Sequence, residues 1–428
     1  MDMSHPDAGP AVAVAAPPGP QAPPAPSTRR WTAERDRLEA AIAETGVDFD
    51  QPRSIYWNAA CGVEAGADFA AIRARVRRYA DFAPTFEAVA RRREARAEAA
   101  AADGHQVTAR DNYFMAAVHW GAAQWPIHTD DEVNRFYHRR KRACYARYAE
   151  LADHRIEAVS IPFAGGALPA WFHLPPGYHG GRLPTVIAVP GMDSFKEATV
   201  ALYADRFLSR GFAVLAVEGP GQYEAAMTGL HMTVPAWART GTACVDWLVR
   251  REEVDAQRIG LSGISFGSFA GTIAAAHEPR LRACAVMNTC HQPGWTAAFE
   301  QAWPTYKMRF MYMSGHTDED AFDAFARTLT WEGHAERLSM PYLVLAGARD
   351  ELSPLECTEA LLAAVPGPKQ LVVYQDSRHS IGGVPAANLG PFAPMLAADW
   401  LADRLRGAPM TSEKWYVDAS GKVTKTPL

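Results

Sequence analysis

From about residue 155 to 406, short apolar runs rich in β-branched residues alternate with amphipathic helical stretches. This alternation constrains the chain more than any other feature. RIEAVSIPF and ALPAWFHLPPG flank Ala-Gly-Gly and read as a hairpin. PTVIAVPG, FAVLAVEGPG, RIGLSGIS, LRACAVMNTC, PYLVLAG and KQLVVYQD then read as buried strands. Between and after them lie helical stretches such as FKEATVALYADRFLSRG, which should stop at Gly211, and VPAWARTGTACVDWLVRREE, FGSFAGTIAAAHE, LECTEALLAAVP and LGPFAPMLAADWLADRL. A strand buried on both faces needs helices above and below it. The pattern therefore specifies an α/β architecture, a mostly parallel sheet flanked by helices and joined by right-handed crossovers. In such sheets ligands meet the carboxyl ends of the strands, so residues just past each strand are where chemistry is expected.

The flanks differ. Residues 1–28 are rich in Pro and Ala and are expected to form a disordered tail. Residues 29–150 have helical spacing throughout. WTAERDRLEAAIAETG, DFAAIRARVRRYADF, PTFEAVARRREARAEAAAADG and the more aromatic ARDNYFMAAVHWGAAQWPI are its clearest helices, forming a segment that packs on the core. The catalytic core is assigned to 151–290 and 336–406, interrupted by an aromatic, helix-like insertion at 291–335, and 407–428 is read as a C-terminal tail.

Composition excludes several classes. With 43 basic and 48 acidic side chains the net charge is −5, which gives no basic face for nucleic acid. No apolar stretch approaches the roughly 18 residues of a helical membrane span, so no membrane partner is expected. Six scattered cysteines without a CxxC pair make neither a zinc site nor a disulfide framework. The N-terminus lacks a basic segment ahead of an uninterrupted apolar run, so a secretory signal is not expected. A cytoplasmic enzyme is the expectation.

Gly263-Ile264-Ser265-Phe266-Gly267 follows the strand RIGLSGIS and opens a helix. A turn this sharp leaves no room for a β-carbon at either glycine, and it presents the serine oxygen above the sheet as a nucleophile. A serine hydroxyl needs a base, and the base needs an orienting acid. Asp350, just past PYLVLAG, and His379, just past KQLVVYQD, come from later strand ends in the order Ser, acid, His. The rivals are weaker: Asp376 lies too close to His379 to come from a separate strand, Glu351 neighbours Asp350, and His291 precedes the acid. The oxyanion formed by attack needs two backbone N–H donors. One is expected from Phe266 and the other from the loop after PTVIAVPG, at Met192 or else Gly191. Asp193 or Ser194 is expected to cap the next helix, with Lys196 and Glu197 structural.

PGMDSFKE (190–197), EGPGQYE (218–224), DAQRIGLSGISFGS (255–268), AGARDELSP (346–354) and DSRHS (376–380) together resemble the α/β-hydrolase superfamily. More narrowly they are similar to the group that contains 2,6-dihydroxypseudooxynicotine hydrolase, fungal polyketide-shortening hydrolases and the fermentation–respiration switch proteins. Three positions depart from that pattern: Glu218 stands for Asp, Tyr223 for Gly, and Ser268 for the Gly usual after the elbow.

The resemblance implies an α/β-hydrolase fold with a helical N-terminal segment and an inserted helical lid over the nucleophile. Trp295, Phe299, Trp303, Tyr306 and Phe310 of the insertion, with Tyr223 and Trp120, are expected to line an apolar substrate cavity, and Glu300 to meet a polar substrate group. It implies hydrolysis of an aromatic or polyketide-like acyl compound at a carbon–carbon bond next to a ketone. A carboxylesterase or acyltransferase acting on a hydrophobic ester is the alternative, and a non-catalytic binding protein the second. The partner is a small-molecule substrate, no metal or organic cofactor is needed, and the aromatic N-terminal helices leave room for a homodimer.

Overall fold

The computed structural model describes residues 27–382 and 384–428. Ten strands form one sheet: β1 (Ile156–Phe163), β2 (Gly166–His173), β3 (Leu183–Val189), β4 (Ala213–Val217), β5 (Val254–Ile264), β6 (Ala283–Met287), β7 (Tyr342–Gly347), β8 (Lys369–Tyr374), β9 (Glu413–Val417) and β10 (Val423–Pro427). Their spatial order is β1-β2-β4-β3-β5-β6-β7-β8-β9-β10. The run from β4 to β9 is parallel, and β1, β2 and β10 are antiparallel to their neighbours. The expected parallel sheet and its opening hairpin are present.

Along β3, Ile187 and Val189 face one apolar core while Val186 and Ala188 face another. The period-two alternation of a strand divides its side chains between two buried faces. Helices Val234–Leu248 and Phe266–Ala276 cover the first face, and Ala393–Leu405 covers the second. The third core lies inside the N-terminal helices and reaches Trp171, Phe195 and Tyr223 of the sheet domain.

Several sequence expectations are corrected. The tail assigned to 1–28 lies mostly outside the described residues, but Thr28 is ordered: its hydroxyl accepts from the Trp31 N–H and starts helix Arg29–Ala33. The single helix expected from Trp31 breaks at Glu34 and resumes as Arg35–Thr45. Two further helices, Arg53–Cys61 and Glu132–Leu151, complete the N-terminal unit; the second is capped by the Asp131 carboxylate on the Asn134 N–H. The long helix expected after β3 is two short ones, Lys196–Thr199 and Asp205–Leu208, around a wide π-type turn Val200–Ala204. Gly211 does end it, with φ of 78°.

Residues 407–428 are not a tail. EKWYV and VTKTP pair as the β9–β10 hairpin and extend the sheet past β8, with Val417 fully buried. Their alternating pattern and the Asp-Ala-Ser-Gly turn are ordinary hairpin signals. The hairpin satisfies the β8 edge, which would otherwise present open hydrogen-bonding groups. Removing residues 408–428 is expected to lower the thermal unfolding midpoint and cause self-association, read by differential scanning fluorimetry and light scattering.

Candidate active site

The site stands at the carboxyl ends of β3, β5, β7 and β8. Ser265 has φ of 55° and ψ of −122°, a backbone conformation that costs a β-carbon-bearing residue on the order of 1–3 kcal/mol. Its flanking glycines are obligatory. A β-carbon on Gly263 would lie 2.0 Å from the Gly267 carbonyl oxygen, and one on Gly267 would lie 2.2 Å from that of Val189. The strain is held by the sheet on one side and by helix Phe266–Ala276 on the other.

Ser265 Oγ is 2.8 Å from His379 Nε2. His379 Nδ1 is 3.2 and 3.1 Å from the two carboxylate oxygens of Asp350. Asp350 Oδ1 also accepts from the N–H groups of Leu352 and Ser353, which fixes the carboxylate at the end of β7. Burial disfavours the charged imidazolium, but the Asp350 carboxylate and its hydrogen bond outweigh that and hold His379 above its ordinary pKa.

The rival residues stand elsewhere. Asp376 pairs with Arg349, and His291 is buried beside Ser353 and Thr358, its pKa pushed down to about 3 by burial. Glu351 has a supporting place, accepting the His379 backbone N–H at 2.9 Å.

Gly191 passes close over Ser265: a β-carbon there would sit 3.1 Å from Ser265 Cβ. The Phe266 N–H lies at the first position of its helix, where no intrahelical acceptor exists. EGPGQYE fixes the loop that carries Gly191 and Met192. The Gln222 side chain donates to the Pro190 carbonyl and accepts from the Gly219 N–H. Glu218 accepts from the Lys196 backbone N–H and from its ammonium. Neither Asp193 nor Ser194 caps the next helix; Phe195 occupies the N-cap position, and Asp193 turns to Arg53.

That arginine is what the sequence reading missed. Helix Arg53–Cys61 and the loop before it bring Gln51, Arg53 and Tyr56 against the site. Arg53 is fully buried, pairs with Asp50, reaches Asp193 Oδ2 at 3.1 Å, and lies 4.0 Å over the Trp125 ring. Gln51 donates to Glu351 and accepts from the Ser380 hydroxyl, bracing the loop on which His379 sits.

Most of the expected pocket aromatics are elsewhere. Trp295 and Phe310 pack edge to face on one another and on Phe266, and Phe299 packs against both, as core. Trp303 contacts Phe49 and Arg37. Trp120 donates to Glu94 within the helical unit, and Glu300 pairs with Lys307. Tyr223 does not shape the cavity; it lies against Phe195 with the cations of Lys141 and Arg309 over its ring. Its φ of 23° explains why glycine is the expected residue there. Tyr306 alone of this group lines the cavity at Ser265 and His379.

That cavity is small, about 30 Å³. Through shared walls at Tyr56, Tyr203, Ile264 and Asn288 it adjoins a groove of about 830 Å³. The groove runs between the N-terminal helices and the segments around residues 200–208, 381–382 and 388–394, walled by Phe114, Tyr145, Tyr148 and Phe392. The large space therefore lies on the side of the N-terminal unit and not under the insertion. The insertion is pinned down: Arg30 donates to the carbonyls of Phe299 and Ala302, and Arg29 pairs with Glu319, Asp320 and Asp323.

The strand order, the elbow after β5 and the Ser–His–Asp chain define a protein of the α/β-hydrolase fold. Residues 81–315, more than half of the chain, match the family model "Esterase FrsA-like", and the chain belongs to the FrsA-like esterase family. It is 29% identical over 314 residues to the 2,6-dihydropseudooxynicotine hydrolase of Paenarthrobacter nicotinovorans, covering 73% of this chain and 81% of that one. It is also 29% identical over 240 residues to the α/β hydrolase xenA of Xenoacremonium sinensis, covering 54% and 55%. The chain spans about half the length of several curated relatives it matches. The crystal structure of the 2,6-dihydroxy-pseudo-oxynicotine hydrolase superposes with a TM-score of 0.71 at 26% identity, covering 84% of this chain and 98% of that one.

Replacing Arg53 by Met leaves Asp50 buried without its cation. The expected loss is about 3–5 kcal/mol of unfolding free energy in urea titration, with part recovered in the double variant Asp50→Asn/Arg53→Met.

Proposed function

We propose that this chain is a serine hydrolase that cleaves a carbon–carbon bond next to a ketone in an aromatic or polyketide-like compound. The observation that carries the hydrolase reading is the unbroken hydrogen-bonded chain from Ser265 through His379 to Asp350. Ser265 Oγ attacks the carbonyl carbon while His379 Nε2 takes its proton, and Asp350 holds the imidazole and stabilises its charged form. The N–H groups of Phe266 and Met192 receive the oxyanion. Collapse expels the leaving carbon with the bonding electron pair, and the imidazolium returns its proton to that carbon. Water, deprotonated by His379, then releases the acid from the acyl-serine.

The family resemblance favours carbon–carbon cleavage, and the aromatic wall of the 830 Å³ groove suits a flat, extended substrate. The family description as esterase supports a second reading, a carboxylesterase in which the same steps expel an alkoxide. Matched aryl substrates, one a β-diketone and one the corresponding ester, separate the two when products are resolved by mass. Carbon–carbon cleavage predicts an acid and a methyl ketone from the diketone; turnover of the ester alone favours the carboxylesterase. Ser265→Ala is expected to lower kcat for the turned-over substrate by a factor on the order of 10⁴ or more. Turnover retained in that variant would overturn the serine mechanism.

The base must be neutral to accept the serine proton, so kcat/KM is expected to fall as pH drops through the raised pKa of His379. Asp350→Asn removes the carboxylate that favours the imidazolium. The acid limb should move to lower pH while the plateau drops by about 10³–10⁴.

A further inference from the structure

Where β6 ends, residues 287–291 touch each segment that carries a member of the Ser–His–Asp chain. The Met287 carbonyl accepts the Ser265 N–H at 3.0 Å, and the Asn288 N–H donates to the Leu345 carbonyl of β7 at 3.2 Å. Two further N–H groups of this loop go to side-chain oxygens. That of Cys290 donates to Ser268 Oγ at 2.9 Å, and that of His291 to Ser353 Oγ at 2.8 Å. The Asn288 side-chain oxygen accepts the Ile381 N–H at 3.4 Å, two residues past His379. Asn288 has φ of 51°, a left-handed conformation that persists only where the surroundings hold it.

Ser268 and Ser353 are both fully buried, and each is one hydrogen bond from a member of the chain. Ser268 stands in the first turn of helix Phe266–Ala276, and its N–H donates to the Ser265 carbonyl at 2.7 Å. The Ser353 N–H donates to Asp350 Oδ1 at 3.0 Å. Cys290 and His291 are neighbours in sequence, so one residue of backbone separates the N–H groups that the two hydroxyls receive. A path of short bonds thus runs from Ser265 to Asp350 without passing through His379. The loop is itself pinned: the Trp331 indole N–H donates to the His291 carbonyl at 2.7 Å, and the Thr358 hydroxyl lies 3.1 Å from His291 Nδ1. Ser268 stands where glycine is usual in the related pattern, and glycine supplies no such acceptor.

We infer that Ser268 and Ser353 are positioning residues that set the spacing between Ser265 and Asp350 through the loop after β6. This rests on the serine-hydrolase reading and holds whichever bond is cleaved. Strand pairing fixes the strand ends, but the reactive side chains stand on turns beyond them, and those turns need links of their own. Ser353 acts on the acid: Asp350 favours the imidazolium only while its carboxylate stays against His379 Nδ1. Ser268 acts at the other end, on the backbone of Ser265. The charged groups that face His379 are Asp350, Glu351 and Asp193, the last two paired with Arg378 and Arg53. The half-buried Cys290 thiol meets the Ser265 side chain, and its desolvation raises its pKa and keeps it protonated. Of these groups Asp350 is bonded to Ser353 directly, so the two serines have different signatures.

The test is the rate at which a fluorophosphonate modifies Ser265 in the full chain, followed against pH, which requires no substrate. In the wild type the rate should fall as pH drops through the His379 pKa. Ser353→Ala should lower the plateau about tenfold and move the acid limb to lower pH, because a displaced Asp350 favours the imidazolium less. Ser268→Gly should lower the plateau about tenfold and leave the limb in place. Ser353→Thr keeps the hydroxyl and should restore the limb. Circular dichroism and thermal melts check folding; a merely structural serine lowers the melting midpoint without moving the limb. An acid limb unmoved in Ser353→Ala, or wild-type plateaus in both variants, overturns the inference. Should Ser353→Ala not fold, a wild-type plateau in Ser268→Gly overturns it alone. A wild type that does not react at Ser265 overturns the serine-hydrolase reading, and the inference with it.

Discussion

The junction between the N-terminal helices and the sheet domain is held by charges that cannot be separated cheaply. Lys141 and Glu197 are wholly buried, 3.5 Å apart, and Lys196 reaches Glu197, Glu218 and Glu224 at 2.9, 3.2 and 2.7 Å. Burial alone would strip Lys196 of its proton, but the three carboxylates raise its pKa instead, and burial lowers that of Lys141. Glu218 lies at the end of β4, Lys196 and Glu197 follow β3, and Lys141 comes from the helical unit. Breaking the junction would leave several charges unpaired in an apolar interior, which costs far more than breaking a surface pair. The helical unit is thus a fixed wall of the molecule.

That fixed wall decides what surrounds Ser265. The same loops whose carboxylates join the ionic junction carry Gly191 and Met192 over Ser265. The wall also sets Arg53 against Asp193 and Gln51 against the histidine loop. Around the serine, the sheet supplies the hydrogen-bonded chain, and the helical unit supplies its bracing and, through Gln51 and Tyr56, one wall of its cavity. Neither part encloses a substrate alone.

The chain Ser265, His379, Asp350 was readable because it follows from local rules: a glycine-flanked serine between strand and helix, and polar residues one step past later strands. Local rules do not reach Gln51 or Arg53, whose partners in the sheet domain lie between 140 and about 330 residues away in sequence. Helix Arg53–Cys61 is nine residues long, and two of the three side chains it buries, Arg53 and Ser54, are polar, so its inward face gives no apolar core signal in the sequence. The insertion misled for another reason. Its aromatics mark an apolar surface, but composition does not say whether a cavity or the core takes them, and Trp295, Phe299 and Phe310 turn to the core. The terminal hairpin was legible from its alternation and turn, and was missed because it follows a helix that looked like the end of the domain.

The clasp between Arg29, Arg30 and the insertion has a consequence for biosynthesis. The residues joined there are separated by about 270 to 294 positions. At a synthesis rate of about 5–20 residues per second, the first helix waits on the order of 15–60 s for its partners to be made. Helix Arg29–Ala33 is therefore among the last of the described helices to gain its partners.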